Sequence, residues 1–276
     1  MRRLPTAVRA AALAASMSVG LACHPSFQPR NFASSALLYR ASLDQYNLKH
    51  WDNAVAGFER LTLDLSARDS LLPLSHWYLA HAHAMRSEHL LAATSYSRLA
   101  ESFGDDSLAP VALLNSGYEY AALWHRPDLD PTYGDLAQVQ FRMFDGIYPD
   151  SPLRKQADSA SVEIDEKKAQ KDYGTGAQYV RRHAFESSLI YFKDVVKNYP
   201  NTKTARDALM AMVLVYRRPE LRYLPEARET CVTLRAAYAG DAAVAALCAG
   251  PAAGVADSVG GKLKAAVTIP AKKPAR

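Results

Sequence analysis

Four histidines, His76, His81, His83 and His89, lie close together in the chain, and imidazole is a common zinc ligand. A helical zinc site needs two ligands on one face, spaced by four as in H-E-x-x-H. His81 and His83 are two apart and point to different faces, and none of the four has a histidine four places away. No metal site is therefore expected. Carboxylates bunch at Glu163, Asp165 and Glu166, beside Lys167 and Lys168. Clustered acids could do acid and base work, but without a nearby histidine or apolar pocket this run reads as a solvated helix face. No G-x-S-x-G, Walker A or H-E-x-x-H string occurs in the chain, so neither catalytic residues nor a cofactor is expected.

The cysteines carry the remaining chemistry. Residues 1–22 open with Arg2, Arg3 and Arg9 and no acid, then run through the apolar stretch Ala10 to Leu21. A charged start followed by a short apolar core is a signal peptide, too short to span a bilayer. Gly20-Leu21-Ala22-Cys23 is similar to a bacterial lipobox, in which cleavage leaves a lipid-modified cysteine; Gly20 stands where leucine is usual. Acyl chains on Cys23 would anchor the mature chain without crossing the membrane, at ~0.8 kcal/mol per buried CH₂. A plain secretory signal is the other reading. His24 rather than aspartate follows Cys23, a pattern associated with sorting to the outer membrane, on its periplasmic side. Residues 23–34, with Pro25 and Pro29, read as a lipidated tether. Cys231 and Cys248 could pair in an oxidising compartment, where closing a loop of that size contributes ~3 kcal/mol. Cys231 reads equally well as a buried small hydrophobe.

The elements that must position these side chains announce themselves as a register repeated five times. It runs Ala54, Phe58, Leu61, Leu65; Ala92, Tyr96, Leu99, Phe103; Ala137, Phe141, Phe144, Tyr148; Ser188, Phe192, Val195, Tyr199; and Ala227, Cys231, Leu234, Tyr238. Offsets of four, seven and eleven return to one face of an α-helix. The passes recur at intervals of roughly 40 to 50 residues, against about 34 for a tetratricopeptide repeat, so each fits one helix pair with a variable insertion. The chain is 49% hydrophobic, enough to bury a large core, and shows no useful β-alternation. The expected fold is all-α, a right-handed α-solenoid of about five tetratricopeptide-like helix pairs, which makes binding rather than catalysis the default function.

The expected organisation follows the register: repeats 1–3 over residues 35–152, repeats 4–5 over 153–241, and a low-complexity tail over 242–276. The third pair is swollen by an exposed loop from Trp124 to Pro131, and the charged helix from Leu153 to Ala169 runs on into the fourth pair. Lysine and arginine number 33 against 28 acids, and loss of Arg2, Arg3 and Arg9 leaves a near balance that gives no reason to expect nucleic acid binding. The remaining excess sits in the tail, at Lys262, Lys264, Lys272, Lys273 and Arg276, which reads as a solvated disordered segment or as a contact to an anionic surface.

Five helix pairs behind a lipoprotein signal, with helices ending in Tyr148-Pro149-Asp150-Ser151-Pro152 and Tyr199-Pro200-Asn201-Thr202, resemble the BamD family of outer-membrane protein assembly lipoproteins. The closest stretches are residues 51–61 and 185–192, and the likeness extends over about 35–241. Phe103-Gly104-Asp105 and Tyr238-Ala239-Gly240 depart from the family pattern by lacking proline. The resemblance implies a non-enzymatic scaffold of the β-barrel assembly machinery. Its C-terminal repeats would bind the periplasmic domains of the barrel-forming subunit, and its N-terminal groove would receive outer-membrane protein client peptides. Another repeat-bearing envelope lipoprotein, serving cell-wall synthesis or export, is the alternative.

In a helix-pair solenoid the first helix of each pair lines the concave side. Moving one helical step off the packed residues selects Tyr39, Leu43 and Tyr46 in the first pair, Trp77 and His81 in the second, and Leu114 and Tyr118 in the third. A stripe of rings suits an extended, ring-rich peptide; the same residues would otherwise pack in the core.

Overall fold

The computed structural model describes residues 27–249, which form eleven α-helices and no strand. The helices are α1 (Ser35–Asn47), α2 (Trp51–Asp64), α3 (Leu71–Met85), α4 (His89–Ser102), α5 (Ala109–Leu123), α6 (Thr132–Ile147), α7 (Arg154–Arg181), α8 (Phe185–Asn198), α9 (Lys203–Tyr216), α10 (Leu224–Ala237) and α11 (Ala242–Ala249). Consecutive helices pack on one another, as α1 does on α2 and each helix from α4 onward does on the next, in the manner of a tetratricopeptide-like array. Cys23 and residues 250–276 of the tail lie outside the described residues.

The repeated register is what builds the helices into layers. In all five passes the first three members are at most 6% exposed. The fourth member, half-buried, is the C-cap in every case, and its N–H donates to the carbonyl of the third: Leu65 to Leu61, Phe103 to Leu99, Tyr148 to Phe144, Tyr199 to Val195 and Tyr238 to Leu234. One four-residue pattern therefore encodes both the packed stripe and the helix end.

The turns inside the pairs share a second device. Lys49, Ser87, His183 and Arg222 adopt left-handed backbone at φ between 52° and 61°. In three of these turns the next N–H reaches back five residues, from His50 to Gln45, Glu88 to His83 and Ala184 to Tyr179, which satisfies carbonyls the helix leaves open.

The described residues divide into two compact units between 82 and 83, inside α3. The sequence places its division between 152 and 153 instead. That position falls just before α7, a single 28-residue helix that packs on both α6 and α8.

In the first unit, Leu38, Ala54, Val55, Phe58, Leu61, Leu79 and Ala82 form the core. In the second, one cluster joins Leu113, Leu114, Trp124, Phe141, Phe144 and Ile164, and another joins Phe185, Phe192, Val213, Tyr216, Leu234, Val244 and Leu247. The first helix of two pairs carries a glycine where a ring must sit: a Cβ on Gly117 would lie 2.4 Å from the Phe141 ring, and one on Gly176 2.7 Å from that of Phe192.

Three expectations change. The loop after α5 is exposed at His125, Arg126, Asp128 and Asp130, but its first residue, Trp124, is 1% exposed and packs against Gly134. Lys171 Nζ donates to the Leu129 carbonyl at 2.7 Å, so the loop is pinned to α7. The charged stretch is only partly a solvated face. Lys168 pairs with Asp135 at 2.5 Å, Asp165 accepts from Gln138, and Glu166 binds the start of α9, because these charges meet neighbouring helices rather than water. Residues 242–249, assigned by composition to the tail, form α11, because Val244 and Leu247 find an apolar neighbour in α10.

Candidate functional site

In the first unit a cluster of rings gathers where α1, α2 and α3 meet. Tyr39 and Tyr46, seven residues apart, project from one face of α1. Tyr78 of α3 is the hub: its ring stacks on the buried Phe58 at 5.3 Å and 18°, and lies 4.9 Å from Tyr46 and 6.5 Å from Tyr39 in edge arrangements. Trp51 of α2 meets Tyr46 edge-on at 5.4 Å. The Tyr46 hydroxyl lies 2.8 Å from Nδ1 of His81. Burial, reinforced by the nearby Tyr78, pushes the hydroxyls of Tyr39 and Tyr46 above their ordinary pKa, which keeps both as neutral hydrogen-bonding groups.

The sequence-selected residues thus divide. Tyr39, Leu43 and Tyr46 are half-buried and pack against the first core, so each has one side inside and one accessible. Trp77 and His81 are also half-buried. The sequence offset misses Tyr78, the residue that joins the others. A period-seven reading of α3 could have found it, since Leu71, Tyr78 and Met85 share a face.

In the second unit Leu114 is 2% exposed and belongs to the core, whereas Tyr118, four residues on, is 41% exposed. Tyr118 stands edge-on to Phe141 at 5.5 Å and 65°, at the rim of an open cleft of about 220 Å³ between α5, α6 and α7. Ala121, Ala122, Ala160 and Ile164 complete the apolar lining, while Glu163 and Lys167, one turn apart on α7, supply an acceptor and a donor. Burial, with the Glu163 carboxylate second, raises the Tyr118 pKa. A cleft of this size is below the usual range for small-molecule sites and suits a single side chain.

Two of the four histidines pair with carboxylates. His83 lies 2.7 Å from Glu88 and His89 lies 2.7 Å from Glu119. Among the described residues no three His, Cys, Asp or Glu come together to hold a metal, and no helix is long and apolar enough to cross a membrane. What the two surfaces offer is ring contact, apolar lining and a few hydrogen-bonding groups, the means of holding a peptide.

A family model described as YfiO, outer membrane lipoprotein, matches residues 33–231. A stretch of 93 residues, 34% of this chain, is 28% identical to the outer membrane protein assembly factor BamD of Vibrio cholerae. That stretch covers 39% of the relative, so the chain spans about two fifths of the length of the curated relative it matches.

Proposed function

This chain belongs to the YfiO family of outer membrane lipoproteins, and we propose that it serves as a scaffold in the assembly of β-barrel proteins at the outer membrane. A family match running from 33 to 231, through both compact units, is the observation that carries this reading. Acylation of Cys23 holds the chain to the periplasmic face of that membrane. The ring cluster of the first unit, with Tyr39, Tyr46, Trp77 and His81 half-exposed, receives extended client segments rich in apolar and aromatic side chains. Rings add large contact area at little entropic cost, and the neutral hydroxyls and His81 orient a backbone without demanding a charge. Repeats four and five bind the periplasmic domains of the barrel-forming subunit. The rings, the open cleft and the helix-pair packing all support binding as the activity, with no bond made or broken.

The test is a mild-detergent pull-down of the C-terminally tagged protein from its native envelope, read by mass spectrometry. Near-stoichiometric recovery of a large barrel-forming outer-membrane subunit is expected. Recovery of wall-synthesis enzymes or exporter components without that subunit would overturn the reading.

A further inference from the structure

The end of the second unit carries a device that its place in the array explains. Each pair in such an array covers its apolar stripe with the next helix, and the last pair needs a substitute. That substitute is α11, which packs on α10 and inserts Val244 (1% exposed) and Leu247 (8%) into the cluster of Cys231 and Leu234. Eight residues with two buried side chains make a helix too short to persist unaided.

Its fixings lie at both ends. At the start, Asp241 accepts from the N–H groups of Ala243 (2.8 Å) and Val244 (3.2 Å) and pairs with Arg206 at 2.6 Å. At the finish, a disulfide joins Cys248 to Cys231, Arg217 Nη1 donates to the Leu247 carbonyl at 2.8 Å, and Arg235 donates to the Cys248 carbonyl. The second register position, a ring in the first four passes, is here a half-cystine. The cross-link stands where the other four passes pack a ring, in the last of the five.

We propose that this disulfide is a reducible latch, which holds α11 over the end of the second unit when oxidised and releases it when reduced. Two features favour reduction over a permanent staple. Cys248 is half-exposed while Cys231 is 6% exposed, which makes Cys248 the more accessible half of the bridge for an incoming thiolate. The Arg217 guanidinium lies 3.8 Å from Cys231 Sγ, where its charge stabilises the thiolate that must leave.

The reductant is a protein dithiol of the Cys-x-x-Cys class. Its first thiolate bonds to Cys248 Sγ as the Cys231–Cys248 bond breaks, and the Cys231 thiolate departs beside Arg217. Its second thiol then attacks the mixed disulfide. The products are two thiols on this chain and a disulfide on the reductant, with two electrons and two protons transferred. Loss of the covalent tie leaves α11 with hydrogen bonds and two apolar contacts, and it detaches from α10.

Hydrogen exchange on the full-length detergent-purified protein, before and after dithiothreitol, tests this together with a trapping reaction using a thioredoxin-fold Cys-x-x-Ser variant. Protection of amides 245–249 should fall at least tenfold on reduction, amides in α5 and α6 should not change, and the trapped mixed disulfide should sit on Cys248. The double variant Cys231→Ala, Cys248→Ala should exchange like the reduced protein without any reductant. Unchanged protection in α11, trapping on Cys231, or equal loss of protection in α5 and α6 would each overturn the latch.

Discussion

The carboxylate of Glu166 accepts a hydrogen bond from the Thr204 hydroxyl at 2.7 Å, so a side chain of α7 caps a helix that begins 37 residues later in the chain. The N–H groups of Lys203 (2.8 Å) and Thr204 (3.3 Å) converge on the same carboxylate, while Thr202 caps the helix locally through Ala205 N–H. A negative charge at a helix N-terminus is favourable, and here it also ties the fourth pair to the fifth. Burial alone would raise the Glu166 pKa; the hydrogen bonds from Thr204, Gln170 and Lys203 outweigh it and hold the group below its ordinary 4.5. We expect Glu166→Ala to lower stability by about 1–2 kcal/mol at neutral pH. Because the folded pKa is depressed, that contribution is present above the unfolded value and is lost as pH falls through the folded one. Melting temperatures of wild type and variant should therefore converge in acid; a constant difference down to pH 3 would rule out the charged cap.

Gly117 faces the Phe141 ring so closely that a methyl group would have to displace it. Both groups are buried, so the ring would have to shift against its packed neighbours or toward the α5–α6–α7 cleft that it lines. Gly117→Ala should cost about 1–3 kcal/mol, although alanine is the better helix former by ~1 kcal/mol. Gly146, by contrast, has nothing within 4 Å of its added Cβ, so Gly146→Ala should be neutral or stabilising. Urea denaturation of the two variants side by side separates the steric effect from propensity.

Ser87, at φ 60°, holds a left-handed conformation that costs a residue with a Cβ about 1–2 kcal/mol. The turn is tied by its own N–H to Ala84 and by Glu88 N–H to His83, so glycine would keep every bond. Ser87→Gly is expected to raise the melting temperature, and a fall would show that the serine side chain contributes more than its backbone costs.

Much of the fold was legible because one pattern serves two purposes. The spacing that puts Ala137, Phe141 and Phe144 on a single face also puts Tyr148 at the helix end, so periodicity alone located five helices and their stops. The left-handed turns were not legible, since Lys49, Ser87, His183 and Arg222 are none of them the glycine or asparagine that marks such a position. Nor was α11, whose apolar composition reads as low complexity until Cys231, Arg217 and Arg235 are seen to hold it. The packing of the ring cluster and the cleft was half legible. A one-residue offset identifies the accessible side of a helix but not which rings share a neighbour, and so it selected Tyr118 together with the core residue Leu114 and passed over Tyr78.

Leu114 and Tyr118 occupy adjacent turns of α5, one in the core and one at the rim of the cleft, so they separate packing from the proposed binding. Leu114 lies among Leu113, Phe141 and Phe144 in the core, so Leu114→Ala should cost about 2–5 kcal/mol of stability. Tyr118 is exposed at the rim of the α5–α6–α7 cleft, and its hydroxyl makes one long contact, 3.5 Å to the Gln156 carbonyl. Removing its ring should change stability far less, yet it strips the cleft of the aromatic surface a visiting side chain would meet. Tyr118→Ala is therefore expected to weaken binding of a synthetic ring-rich client peptide about tenfold, equivalent to ~1.4 kcal/mol, while Tyr118→Phe keeps the affinity. Fluorescence anisotropy of the labelled peptide, with melting curves of the same preparations, reads both quantities. A variant that loses stability without losing affinity would return Tyr118 to the core and leave the ring cluster around Tyr46 and Tyr78 as the binding surface.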